Sequence, residues 1–90
     1  MTERIGALTV DVRGFDPELR RAMVFAIVDQ MVGLGARDRL ILVCDHEPVG
    51  LGYQVDLRRE TRGRFAFECD QRADGTWVAF FTPIIESPES

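Results

Sequence analysis

Ninety residues, 46% apolar and 29% charged, describe one ordinary globular domain, and a net charge of −4 argues against nonspecific nucleic-acid binding, which needs a basic face. No run approaches the ~20 apolar residues that span a bilayer, and the opening MTERIGALTV is too polar for a signal peptide. The expected setting is therefore the cytoplasm, where Cys44 and Cys69 stay thiols and form no disulfide framework.

Residues 1–6 are expected to be loose. Leu8, Val10 and Val12 alternate with Thr9 and Asp11, which predicts a half-buried strand over 7–12. Asp16-Pro17 is a strong helix start, because an N-cap carboxylate precedes a proline at the first helical position. Glu18 suits the positive end of the helix dipole. The helix is predicted over 17–32, with Val24, Val28, Met31 and Val32 inward and Phe25 and Ile27 at the margins. The GLG at 33–35 ends it.

RLILVC at 39–44 is nearly all apolar and predicts a central strand. Pro48 opens a second helix over 49–60, with Val49, Leu51, Tyr53, Val55 and Leu57 on its apolar side. Gly50 and Gly52 each weaken it by roughly 1 kcal/mol relative to alanine. Arg58, Arg59, Arg62 and Arg64 lie among Asp56, Glu60 and Glu68 and read as a solvated surface. GRFAFECD predicts a third strand with Phe65, Phe67 and Cys69 on one face. Asp74-Gly75 makes a hairpin turn, and TWVAFFT is the fourth strand. Trp77, Phe80 and Phe81 read as core or interface residues. The polar ESPES tail, within 83–90, is expected to be flexible.

The order β-α-β-α-β-β predicts an α+β, two-layer α/β sandwich with two helices on one face of a mixed four-stranded sheet. A right-handed crossover makes the first two strands parallel, so their C-terminal ends share one edge. DVRGFD leaves one strand there and CDHEP leaves the other. Ligands of open α/β sheets gather at such edges. Arg13, Arg21, Cys44, His46 and Glu47 are thus predicted to converge, with Arg21 on the inward stripe of helix one. Arginine, histidine and two helix N-termini would favour a small anionic ligand. The bland alternatives stand beside this: Asp45 or Glu47 capping the second helix, His46 bonding a carbonyl, and Arg13 pairing with Asp11 or Asp16. Cys44 reads as a buried strand thiol, as a metal ligand sharing one side of the strand with His46, or as a nucleophile activated by a helix start. Two ligands do not fill a zinc shell, so no metal and no cofactor is predicted.

LTVDVRGFDPELRRAMVFAIVDQM, LVCDHEPVGLGYQVDL and GRFAFECDQRADGTWVAFF together resemble the uncharacterised TusA-like domain family DUF2249, a relative of the TusA/SirA sulfur carriers. The resemblance spans residues 8–82. It rests most on DVR, on DHEP followed by YQ, and on Trp77. It implies the two-layer sandwich and a domain over 7–82, and it carries no established activity. Tyr53, in the YQ, joins the candidate site. Members often occur beside hemerythrin-like or cupin-like domains, which points to a redox or metalloprotein partner. TusA proteins have Cys-Pro where this chain has Asp16-Pro17, so the sulfur-transfer thiol is missing from its usual place. Members usually have asparagine at the position of Cys44, and many have histidine at that of Arg21. The expectation is a non-catalytic binding module for a small anion, a redox cofactor or a partner protein; the rival readings are a sulfur carrier using Cys44 as a displaced nucleophile and a metal or haem redox module using His46 with Cys44.

Overall fold

The computed structural model describes residues 7–84. The elements are β1 (Ala7–Asp11), α1 (Pro17–Leu34), β2 (Arg39–Cys44), α2 (Val49–Leu57), β3 (Phe65–Gln71) and β4 (Trp77–Pro83). The sheet order is β1-β2-β4-β3, with β1 and β2 parallel and both β4 contacts antiparallel. This is the predicted mixed α+β architecture.

Both helices cover one sheet face. Val24, Val28 and Met31 of α1 and Leu51 and Val55 of α2 share a single buried cluster with Leu40, Leu42, Cys44, Ala79 and Phe81. Register explains the cluster, since Leu40 lies opposite Phe81 and Leu42 opposite Ala79, so their side chains leave the sheet on the same side. The apolar run of β4 is read twice, because β4 is a central strand. Ala79 and Phe81 face the helices, while Val78 and Phe80 join Ile41 and Val43 on the other face, with the Arg39 guanidinium 5.1 Å from the Phe80 ring centre.

The helix ends follow local chemistry. Asp16 Oδ1 accepts the Leu19 N–H at 2.8 Å, and Gly35 closes α1 in the left-handed region at φ 65°. Helix α1 runs two residues past the predicted Val32. Helix α2 stops at Leu57, three residues short of the predicted Glu60, and residues 58–64 form turns. Arg58 lies in extended backbone there, and the Thr61 hydroxyl donates to the Val55 carbonyl near the helix end, taking an acceptor that a longer helix would use. Arg58 is no solvated surface charge. It grips Asp29 of α1 at 2.8 and 2.9 Å and lies 4.3 Å over the Phe25 ring centre, tying the two helices together. Strand β4 continues through Pro83, and the Ile84 N–H donates to the Arg64 carbonyl, so the ordered chain passes the expected boundary at 82. The expected looseness of residues 1–6 and of the last six residues lies outside the described residues.

Candidate functional site

Strands β1 and β2 end in register, Asp11 beside Val43, and the Val12 N–H continues the ladder to the Val43 carbonyl at 2.9 Å. Two loops leave this edge, and Asp45 ties them together. Its Oδ2 accepts the Gly14 N–H at 2.9 Å, which holds the Asp45 carboxyl below the ordinary carboxylate range. Its Oδ1 lies 3.7 Å from His46 Nε2. Neither Asp45 nor Glu47 caps α2, whose N-cap is Pro48 and which receives no side-chain hydrogen bond there.

The edge divides the arginines by task. Arg13 turns back onto Asp11, with Nε 3.0 Å from Oδ1 and a terminal nitrogen 2.7 Å from Oδ2. These bonds and the Arg13 backbone N–H lower the Asp11 pKa to about 2. Asp74 and Asp45 add further negative charge around the same guanidinium. Arg13 is thus occupied by carboxylates, the pairing with Asp11 that the sequence allowed.

The inward arginine of α1 is Arg20, and Arg21 is exposed. This corrects the placement of Arg21 on the inward stripe. Arg20 precedes Val24 by four residues and Val28 by eight, so the buried stripe passes through it. The Arg20 guanidinium donates to the His46 carbonyl at 3.3 Å and lies near the Cys44 thiol. Its Nε is buried without a hydrogen-bond acceptor among the described residues. Arg20 and Arg21 still meet. With Pro17, Glu47, Gly50, Leu51 and Gln54 they line a recess of about 160 Å³ between the first turns of α1 and α2.

Three expected members lie elsewhere. The His46 side chain is exposed beside Asp45, and only its carbonyl reaches Arg20. Tyr53 lies on the other side of α2, where it lines a pocket of about 300 Å³ with Val49, Asp56, Phe65 and Phe67. Cys44 is fully buried, and burial pushes its thiol pKa up despite the opposing effect of Arg20. Strand geometry ends at Cys44, so the two-residue spacing does not bring Cys44 and His46 to one side. Among the described residues no three His, Cys, Asp or Glu side chains are arranged to hold a metal ion. Arg20 and Gln54 were missed by the sequence reading. The i, i+4, i+8 spacing of Arg20, Val24 and Val28 was the available signal for Arg20.

Fold and recess define a small two-layer α+β domain whose charged concavity lies between two helix starts. The chain belongs to the DUF2249 family, described as an uncharacterized conserved protein, which matches residues 9–83. No curated protein and no solved structure matches it. No helix among the described residues is long and apolar enough to cross a membrane.

Proposed function

We propose that this domain is a non-catalytic binding module that takes a small anion, a phosphate or carboxylate group, in the recess between α1 and α2. The observation that carries this reading is the meeting of Arg20 and Arg21 in one concavity beside the start of α2, which no side chain caps. Guanidinium groups and open backbone N–H donors both stabilise negative charge. The start of α1 contributes less, because Asp16 already occupies it and Glu18 follows. Glu47 on the rim opposes a dianion and favours a ligand that also carries a donor, such as a hydroxy or amino acid. The buried Cys44 thiol, with its raised pKa, gives no support to sulfur carriage. A cytoplasmic setting, which keeps both thiols reduced, suits the reading.

Titration with inorganic phosphate and with a hydroxycarboxylate, followed by amide chemical shifts, tests it. Saturable shifts are expected at the starts of α1 and α2, weakened about tenfold in Arg21→Gln, an exposed position whose change leaves the fold intact. Absence of saturable shifts with both probes, or equal affinity in the Arg20→Gln, Arg21→Gln double variant, would overturn it.

A further inference from the structure

The other side of α2 carries an inference independent of the arginine recess. Strand β3 is a terminal strand of the sheet, and among the described residues it pairs only with β4. The hairpin bond from Arg72 N–H to the Thr76 carbonyl and the bond from Ile84 N–H to the Arg64 carbonyl set the alternation. Even-numbered residues of β3 spend their backbone groups on β4, so Phe65, Phe67, Cys69 and Gln71 turn theirs to the open edge. Their side chains face the helix layer, where Phe67 lies under α2 against the Phe81 ring. Above this edge α2 exposes an apolar stripe at helical spacing: Val49 is 39%, Tyr53 68% and Leu57 69% exposed.

We propose that a second copy of the chain covers both features at once, with β3 pairing antiparallel to β3 of its twin about a twofold axis at Phe67. An antiparallel neighbour related by a twofold axis normal to the sheet keeps its helices on the same face. The result is an eight-stranded sheet with four helices on one side. Helix α2 covers both β3 and β4, as the pocket formed with Phe65, Phe67 and Phe81 requires. Strands lie about 4.8 Å apart, so the two α2 axes fall roughly 10 Å from each other, within the range of packed helices. Val49 and Tyr53, on the side of α2 that faces β3, then meet their counterparts in the twin.

Charge favours this register over the one centred on Glu68. Pairing about Phe67 sets Arg64 opposite Asp70 of the twin, twice, and Phe65 opposite Cys69. Sliding the centre one residue toward the C-terminus sets Glu68 against Glu68, like charges in direct opposition.

Sedimentation equilibrium of the full chain under reducing conditions tests the pairing. A dimer of the 10.2 kDa chain is expected. Asp70→Arg should shift it to monomer by setting two arginines opposite each other, and adding Arg64→Asp should restore the dimer. Tyr53→Asp, at an exposed position, should also give monomer with an unchanged circular dichroism spectrum. A monomeric wild type at millimolar concentration would overturn the proposal. So would a dimer indifferent to both Asp70→Arg and Tyr53→Asp, because its interface would lie elsewhere.

Discussion

Toward α1, helix α2 presents Gly50, Leu51 and Gln54 to a recess shared with Arg20, Arg21 and Glu47. Toward β3 it presents Val49, Gly52, Tyr53 and Asp56 to Phe65, Phe67 and Phe81. One nine-residue helix therefore separates a charged concavity from an aromatic one. The two are held by different physics. The aromatic side is continuous with the core, so its shape is set by packing and its disturbance is felt as lost stability. The arginine side lies where two loops leave the sheet, and its charged side chains reach water. Changes at its exposed members, Arg21 and Glu47, should alter binding and leave the fold standing.

The largest separation between the two sides is expected from Phe81→Ala. Phe81 is fully buried, forms the floor of the aromatic pocket and touches both Phe65 and Phe67. Its truncation should cost about 3–5 kcal/mol, a large part of a small domain's stability. Urea unfolding measures this, and a loss near that of a surface substitution would show that the aromatic side is no part of the core.

Glycines of α2 sharpen the same contrast. A Cβ on Gly52 would lie 2.6 Å from the Phe67 ring, whereas one on Gly50 meets nothing within 4 Å. Overpacking costs about 1–3 kcal/mol, and alanine's helix preference returns up to about 1. Gly52→Ala should therefore destabilise by up to about 2 kcal/mol, while Gly50→Ala should be neutral or stabilising by up to ~1 kcal/mol. Equal effects at the two positions would mean that α2 does not sit closely on β3.

The fold was legible because its signals are local. Alternation marked β3, Asp16-Pro17 marked the start of α1, and Asp74-Gly75 marked the hairpin, each confirmed by a bond or a dihedral angle in the structure, whereas in β1 alternation located the strand but not its burial, since Leu8 is 45% exposed. The candidate site was legible only as an address. Parallel strands do end at one edge, but which arginine faces inward depends on a shift of about 100° per helical residue. Arg20 and Arg21 are adjacent in sequence and differ by that rotation. Tyr53 and Gln54 are separated in the same way across α2. The bond from Gly14 to Asp45 joins residues 31 apart, a pairing that no local pattern announces.

That bond gives the arginine side its own acid response. The Asp45 pKa is depressed in the folded chain, chiefly by the Gly14 N–H. Its contribution to stability is therefore present above the ordinary carboxylate value of about 3.9 and is lost as pH falls through the lower folded value. Between about pH 4 and the acid transition, amide exchange at Gly14 should rise before exchange in β4 does. Asp45→Asn should show the faster Gly14 exchange already at neutral pH. Simultaneous loss of protection at Gly14 and in β4 would show that the two loops do not open separately from the core.

The smallest effect is expected at Arg13, although it stands at the same edge as Arg20. Its guanidinium is engaged by Asp11 through two bonds, and the Asp11 pKa of about 2 keeps that partner ionised at every pH used for a binding measurement. The sign follows from the depression: the pairing is fully present above the unfolded carboxylate value and is lost only as pH falls toward about 2. A guanidinium held in this way, with Asp45 and Asp74 also acting on it, has little field to offer an incoming anion. Arg13→Ala should leave the affinity for inorganic phosphate and the urea midpoint both within error of the wild type, while Arg21→Gln lowers the affinity. If Arg13→Ala weakened phosphate binding as much as Arg21→Gln does, the anion would have to displace Asp11, and the binding surface would lie across the β1 loop rather than between the two helices.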